Sequence, residues 1–148
     1  MNYHLLKALI LAATITTYGL GQSASHAPND SVVSTWKTAG MFNGRFWKTL
    51  NADQKAMFLF GYSNGVEAVT IATSTSFDNY KETNSRFWAR ALTVAEVQSA
   101  LDTFYAVPEN GPIALARAVY VISQRSEGKD EAELQKIVTD LRARATKN

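Results

Sequence analysis

The stretch GPIALARAVYVISQRSEG, residues 111–128, decides how the rest of the chain is read. Pro112 follows Gly111 and suits the first position of a helix, where its missing N–H is no loss. From there Ile113, Leu115, Val119, Tyr120, Val121 and Ile122 occupy nearly the whole circumference, with Ala between them, and Gly128 closes the run. A helix that is apolar all round belongs in an interior. The expectation is a central buried helix over 112–126, with other helices packed around it.

Its neighbours announce themselves by their caps. Upstream, Thr93 with Glu96 forms a capping box, and Leu92 with Val97 a hydrophobic staple, opening a helix over 93–107 that stops before Pro108. Val94, Val97, Leu101, Phe104 and Tyr105 make its buried stripe. Downstream, Asp130 with Glu133 opens a helix over 130–144, with Leu134, Ile137, Val138 and Leu141 inward. Further upstream, Asn51 with Gln54 opens a helix over 52–72. Its apolar half holds Met57, Phe58, Gly61, Tyr62, Gly65, Val66, Ala68, Val69 and Ala72. Two interior glycines cost about 1 kcal/mol each relative to Ala, so the strip of Gly61, Gly65, Ala68 and Ala72 predicts a neighbouring helix at close range. The fold class is all-α: one bundle of four main helices with a short N-terminal helical turn.

The intervening segments carry weaker signals. Residues 28–37 read as a loosely ordered lead-in, Asn43-Gly44 as a turn, and Phe46, Trp47 and Leu50 as a short apolar turn packed on the body. Residues 73–92 lack helical periodicity and read as a long irregular connection, with at most a helical turn near 86–91. No strand pattern and no internal repeat stands out.

Residues 1–27 read as a secretory signal peptide. Lys7 and the amino terminus give positive charge, an apolar run follows from Ala8 to Ala13, and the segment ends in the small residues around Ser23, Ala24, Ser25 and Ala27. The mature chain, residues 28–148, is then expected to be exported, periplasmic or extracellular, without a transmembrane span, since the apolar run falls short of the ~20 residues a span needs. That length fits one domain, as domains cluster at about 100–150 residues.

Composition narrows the chemistry. Fifteen basic and thirteen acidic residues leave a charge near balance, with no long basic run, so nothing favours nucleic acid. There is no Cys, and both histidines, His4 and His26, lie in the leader segment. The body therefore lacks Ser-His and Cys-His nucleophile pairs and the usual zinc and haem ligands; no catalytic set, metal site or cofactor is expected. Glu67 and Arg117 are lone charges on apolar helices, and they are expected to pair, since a buried charge must find a partner.

The aromatics supply the leading functional candidate. Most sit at helical spacing as core, whereas Tyr80, Phe87 and Trp88 fall in the irregular segment beside Lys81, Arg86 and Arg90. Interfaces favour Trp, Tyr and Arg, so these six residues are the expected partner-binding surface of a non-enzymatic module facing a protein or envelope component. The runner-up is a carboxylate-dependent hydrolase of cell-wall glycan using two of Asp78, Glu82, Glu96, Asp102 and Glu109. A third reading is a structural envelope accessory.

The order of parts also resembles a known group. An exported leader, the helix segment Gly61-Tyr62-Ser63-Asn64-Gly65, a helix ending at Pro108-Glu109 and then an Ala-rich helix look like the small periplasmic Rap1a/Tai-type immunity proteins. That resemblance implies a helical protein that neutralises a partner by binding it. Members of that group generally carry paired cysteines, which this chain lacks, and no site residue carries over.

Overall fold

The central helix is where the sequence puts it, but it starts later. A computed structural model of the chain describes residues 30–147, so the signal-peptide reading of residues 1–27 lies outside the described residues. In chain order the elements are α1 (Asp30–Thr35), β1 (Lys37–Thr38), β2 (Met41–Phe42), α2 (Gly44–Trp47), α3 (Ala52–Thr73), α4 (Phe77–Phe87), α5 (Val94–Ala106), a 3-10 turn (Pro108–Asn110), α6 (Leu115–Ser126) and α7 (Glu131–Ala145). Helix was expected from Pro112. Ala114 is instead extended (φ −61°, ψ 140°) because it forms a bridge with Asn43 from the N-terminal region. α6 buries Leu115, Ala118, Val119, Val121, Ile122 and Ser123, more than any other helix among the described residues, and packs against α4, α5 and α7.

The caps behave as their sequences require. Thr93 Oγ1 accepts from the N–H of Glu96, whose carboxylate accepts from the N–H of Thr93 at 2.7 Å. Asn51 and Gln54 make the same reciprocal pair at 2.9 Å. At α7 only half of the box forms: Asp130 accepts from the N–H of Glu133 at 3.1 Å, while the Glu133 side chain turns to Lys129. The expected stripes of α5 and α7 face inward, with Val97, Leu101, Phe104, Tyr105, Leu134 and Val138 buried.

Three expectations need correcting. First, there are five main helices among the described residues, because α4 fills most of the segment read as irregular. Second, residues 37–42 form a two-stranded antiparallel hairpin. Ala39 and Gly40 at its turn both have positive φ (49° and 79°), the backbone a two-residue turn of the right twist demands, yet strands of two residues leave no alternation to read. Asn43-Gly44, read as a turn, is where a short helix begins. Asn43 caps α2 by accepting from the N–H groups of Arg45 and Phe46, and the helix drives Trp47 into the core. Third, among the described residues no helix covers Gly61 or Gly65: a Cβ added at either would meet nothing within 4 Å. The side of α3 that packs inward carries Leu59 and Thr70, with Phe58, Tyr62 and Val66 half-buried, and the glycine strip is turned away from it. The close approach occurs at Gly44, where a Cβ would lie 2.1 Å from the Tyr105 ring.

Candidate functional site

α4 escaped the sequence reading because its inner face is polar. Ser76 caps it, accepting from the N–H of Asn79 at 3.2 Å. Tyr80, Thr83 and Asn84 then turn inward at helical spacing. Asn84 is buried and donates through Nδ2 to Glu67 at 2.8 Å, and the Tyr80 hydroxyl donates to the other Glu67 oxygen at 2.5 Å. From the opposite side Ser123 on α6 donates to the carbonyl of Ser85 at 2.6 Å. Hydrogen bonds to α3 and α6 thus hold a helix that has no apolar stripe.

This arrangement overturns the expected Glu67–Arg117 pair. Glu67 is half-buried with both oxygens occupied by α4, whereas Arg117 is exposed on α6 and makes no ion pair with it. The helix edge lets Arg117 reach solvent, so it requires no buried partner. The bond to Glu67 is also the chief reason the Tyr80 hydroxyl holds its proton above the ordinary phenol range.

The six partner-binding candidates divide between surface and body. Lys81, Arg86, Phe87 and Arg90 are exposed. Tyr80 and Trp88 are half-buried: Trp88 packs against the core with its ring 6.2 Å from Tyr62. Phe77, which begins the expected surface segment but is not among the six, is 68% exposed and stacks on Tyr80 with centroids 6.1 Å apart. Lys81 Nζ lies 4.4 Å from the Phe77 centroid and the Arg90 guanidinium 5.4 Å from that of Tyr80. Arg86 pairs with Glu82 one turn away.

Two hollows flank this helix. A groove of about 730 Å³ lies between α4 and α6, walled by Glu82, Arg86 and Phe87 on one side and Arg117, Tyr120 and Glu127 on the other. An apolar hollow of about 410 Å³ lies between α3 and α4, lined by Tyr62, Val66, Val69 and Phe87 among others. Phe87 borders both.

The other acids are dispersed. Asp102 accepts from the Trp47 indole and from Lys55, each at 2.7 Å; Glu96 is the α5 cap, which lowers its pKa chiefly through the Thr93 N–H. Asp78 and Glu109 are exposed at element starts. Glu82 is bound to Arg86, and Glu127 accepts from Gln124 at 3.2 Å. Among the described residues no three His, Cys, Asp or Glu side chains cluster as metal ligands, and no helix is long and apolar enough to cross a membrane. Sequence reasoning missed the buried Asn43, Asn84 and Asn110. Asn110 donates to the carbonyl of Phe104 at 2.7 Å and accepts from Arg142 at 2.8 Å; a lone Asn carries no periodic signal. No family model, no curated protein and no solved structure matches this chain.

Proposed function

We propose that this chain is an exported, non-enzymatic helical binding module that takes a protein or envelope partner on the outer face of α4 and the groove α4 shares with α6. The observation that carries the reading is Phe87, 47% exposed between a charged groove and an apolar hollow. An aromatic of that kind beside Arg86 and Arg117, on a segment that also exposes Lys81 and Arg90, has the composition that interfaces favour at their centre and rim. Neutralisation of a partner, as in the immunity-type proteins, is one form such binding can take. The test is capture from an envelope extract, read by mass spectrometry, with Phe87→Ser plus Arg86→Glu as comparison. One partner enriched by the parent and lost with the double variant, at an unchanged melting temperature, supports the reading; equal capture by both removes α4 from it.

The hydrolase reading keeps one observation in its favour, because Glu82 and Glu127 line the same groove. Both are exposed and already engaged by neighbouring donors, whereas an acid catalyst near neutral pH is usually tuned upward by burial. Release of sugar from cell-wall glycan by the parent, abolished by Glu82→Gln, would favour the hydrolase over the binder.

A further inference from the structure

α3 is apolar on two opposite sides, and the described residues cover only one. Leu59, Tyr62, Val66 and Thr70 face the body. On the far side Met57, Gly61, Asn64, Ala68 and Ile71 are all exposed, Met57 at 69% and Ile71 at 63%. Phe60, Gly65, Val69 and Ala72 flank them and are exposed too. Glu67 is the one charge between residues 56 and 76, and its bonds turn it toward α4, so the outer arc is uncharged.

The spacing of the exposed stripe is 4-3-4-3, the seam repeat of paired helices. Its order reads the same from both ends: large Met57, small Gly61, Asn64, small Ala68, large Ile71. A twofold axis makes one patch its own partner, and a helix crossing itself antiparallel about Asn64 would set Met57 of one copy over Ile71 of the other. Gly61 and Ala68 would meet between them and let the backbones approach. Asn64 gives one Nδ2 hydrogen to the carbonyl of Phe60 at 2.8 Å, leaving its second N–H as donor and its oxygen as acceptor for the other copy's Asn64 at the axis. A single Asn in such a seam fixes register.

The area reaches the lower end of what a specific dimer needs. At roughly 200 Å² for a fully exposed aromatic side chain, Met57, Phe60, Val69 and Ile71 with the small residues between them offer on the order of 600–700 Å² per copy. A standard interface uses about 800 Å² per partner, and the largest apolar patch on a monomer is typically about 300–600 Å². We infer that the outer face of α3 is the contact between two copies of this chain, arranged antiparallel about Asn64. The inference does not rest on the α4 reading and leaves the outer face of α4 and its groove with α6 open, although Gly65 and Val69 also line the hollow beside Phe87.

The test uses the purified full chain as the host processes it. Its mass in solution is followed by light scattering and sedimentation over about 1 μM to 1 mM, a range that spans weak to moderate association. Twice the monomer mass is expected, falling to the monomer in Ala68→Glu with the helix signal retained. The chain has no cysteine, so Asn64→Cys should oxidise to a covalent dimer, as should an equimolar mixture of Gly61→Cys and Ala68→Cys, whereas Asp53→Cys should not. The two cysteine experiments do not depend on whether Ala68→Glu folds. A monomer throughout with no crosslink overturns the inference. So does a dimer that Ala68→Glu leaves intact. A monomer that instead binds phosphatidylcholine vesicles through this face, or one whose face is covered by its own N-terminal segment, overturns it as well.

Discussion

At the scale of single residues, the glycines of this chain fall into two kinds that composition cannot separate. Gly44 sits against the Tyr105 ring, and a methyl there would lie 2.1 Å from Cδ1. The ring is buried and its hydroxyl donates to the carbonyl of Ile113 at 2.9 Å, so it cannot swing aside cheaply. Gly44→Ala should lose about 1–3 kcal/mol or more in urea unfolding. Gly61→Ala and Gly65→Ala meet open space in each copy and should each gain up to about 1 kcal/mol through helix propensity; dilute protein isolates that effect from association. The two lone charges separate in the same way. Glu67→Ala leaves the Tyr80 hydroxyl and Asn84 amide without their acceptor, and should cost about 1–3 kcal/mol. Arg117→Ala, at an exposed position without an ion pair, should stay within about 0.5 kcal/mol. Matching losses for the two variants would revive the pairing that the sequence suggested.

At the scale of elements, legibility followed the kind of bond that holds each helix. α3, α5 and α7 carry side-chain caps, and these three helices and α6 have apolar residues at helical spacing; those signals are local. α4 is fastened by Tyr80 and Asn84 to Glu67 and by Ser123 to its backbone, partners 13 to 38 residues away that no window on the segment contains. The mixture of Tyr80, Phe87, Trp88 and the basic residues was legible as composition, but which of them point outward depended on that fastening. The α6–α7 corner offers a test by pH. Arg125 donates twice to Glu131, at 2.9 and 2.8 Å, and with Gln135 it holds the Glu131 carboxyl down at about 2. A carboxyl depressed in the folded state stabilises above its unfolded value of about 4.3 and loses that effect as pH falls toward 2. The parent should therefore become less stable from about pH 5 downward, and Arg125→Ala should flatten part of that slope. The pair is exposed, so the change is small and is best read as a difference between two acid melts.

At the scale of the whole molecule, the core carries two tyrosines whose protons are hard to remove. Burial pushes the Tyr62 hydroxyl up to about 12, against a small opposing pull from Arg117, and burial raises Tyr105 further. A group raised in the folded state stabilises fully below its unfolded pKa, about 10 for a phenol, and that stability drains as pH climbs through the folded value. Stability should thus fall between about pH 10 and 12, with the phenolate absorbance of the folded chain delayed relative to free tyrosine. Tyr105→Phe and Tyr62→Phe should each reduce the fall.

The clamp around Trp47 fixes an order of assembly. Its indole waits on Asp102, Gly44 on the Tyr105 ring, and Asn43 on the backbone of Ala114. A polypeptide emerging from the ribosome N-terminus first has made none of those partners while its first hundred residues appear. Until they follow, the hairpin, α2 and the large indole have only one another and Phe58 of α3 to lean on, and contacts this distant in sequence form late. The chain therefore lacks its closing contacts for most of its synthesis, which lengthens the time in which a chaperone has to shield its exposed rings.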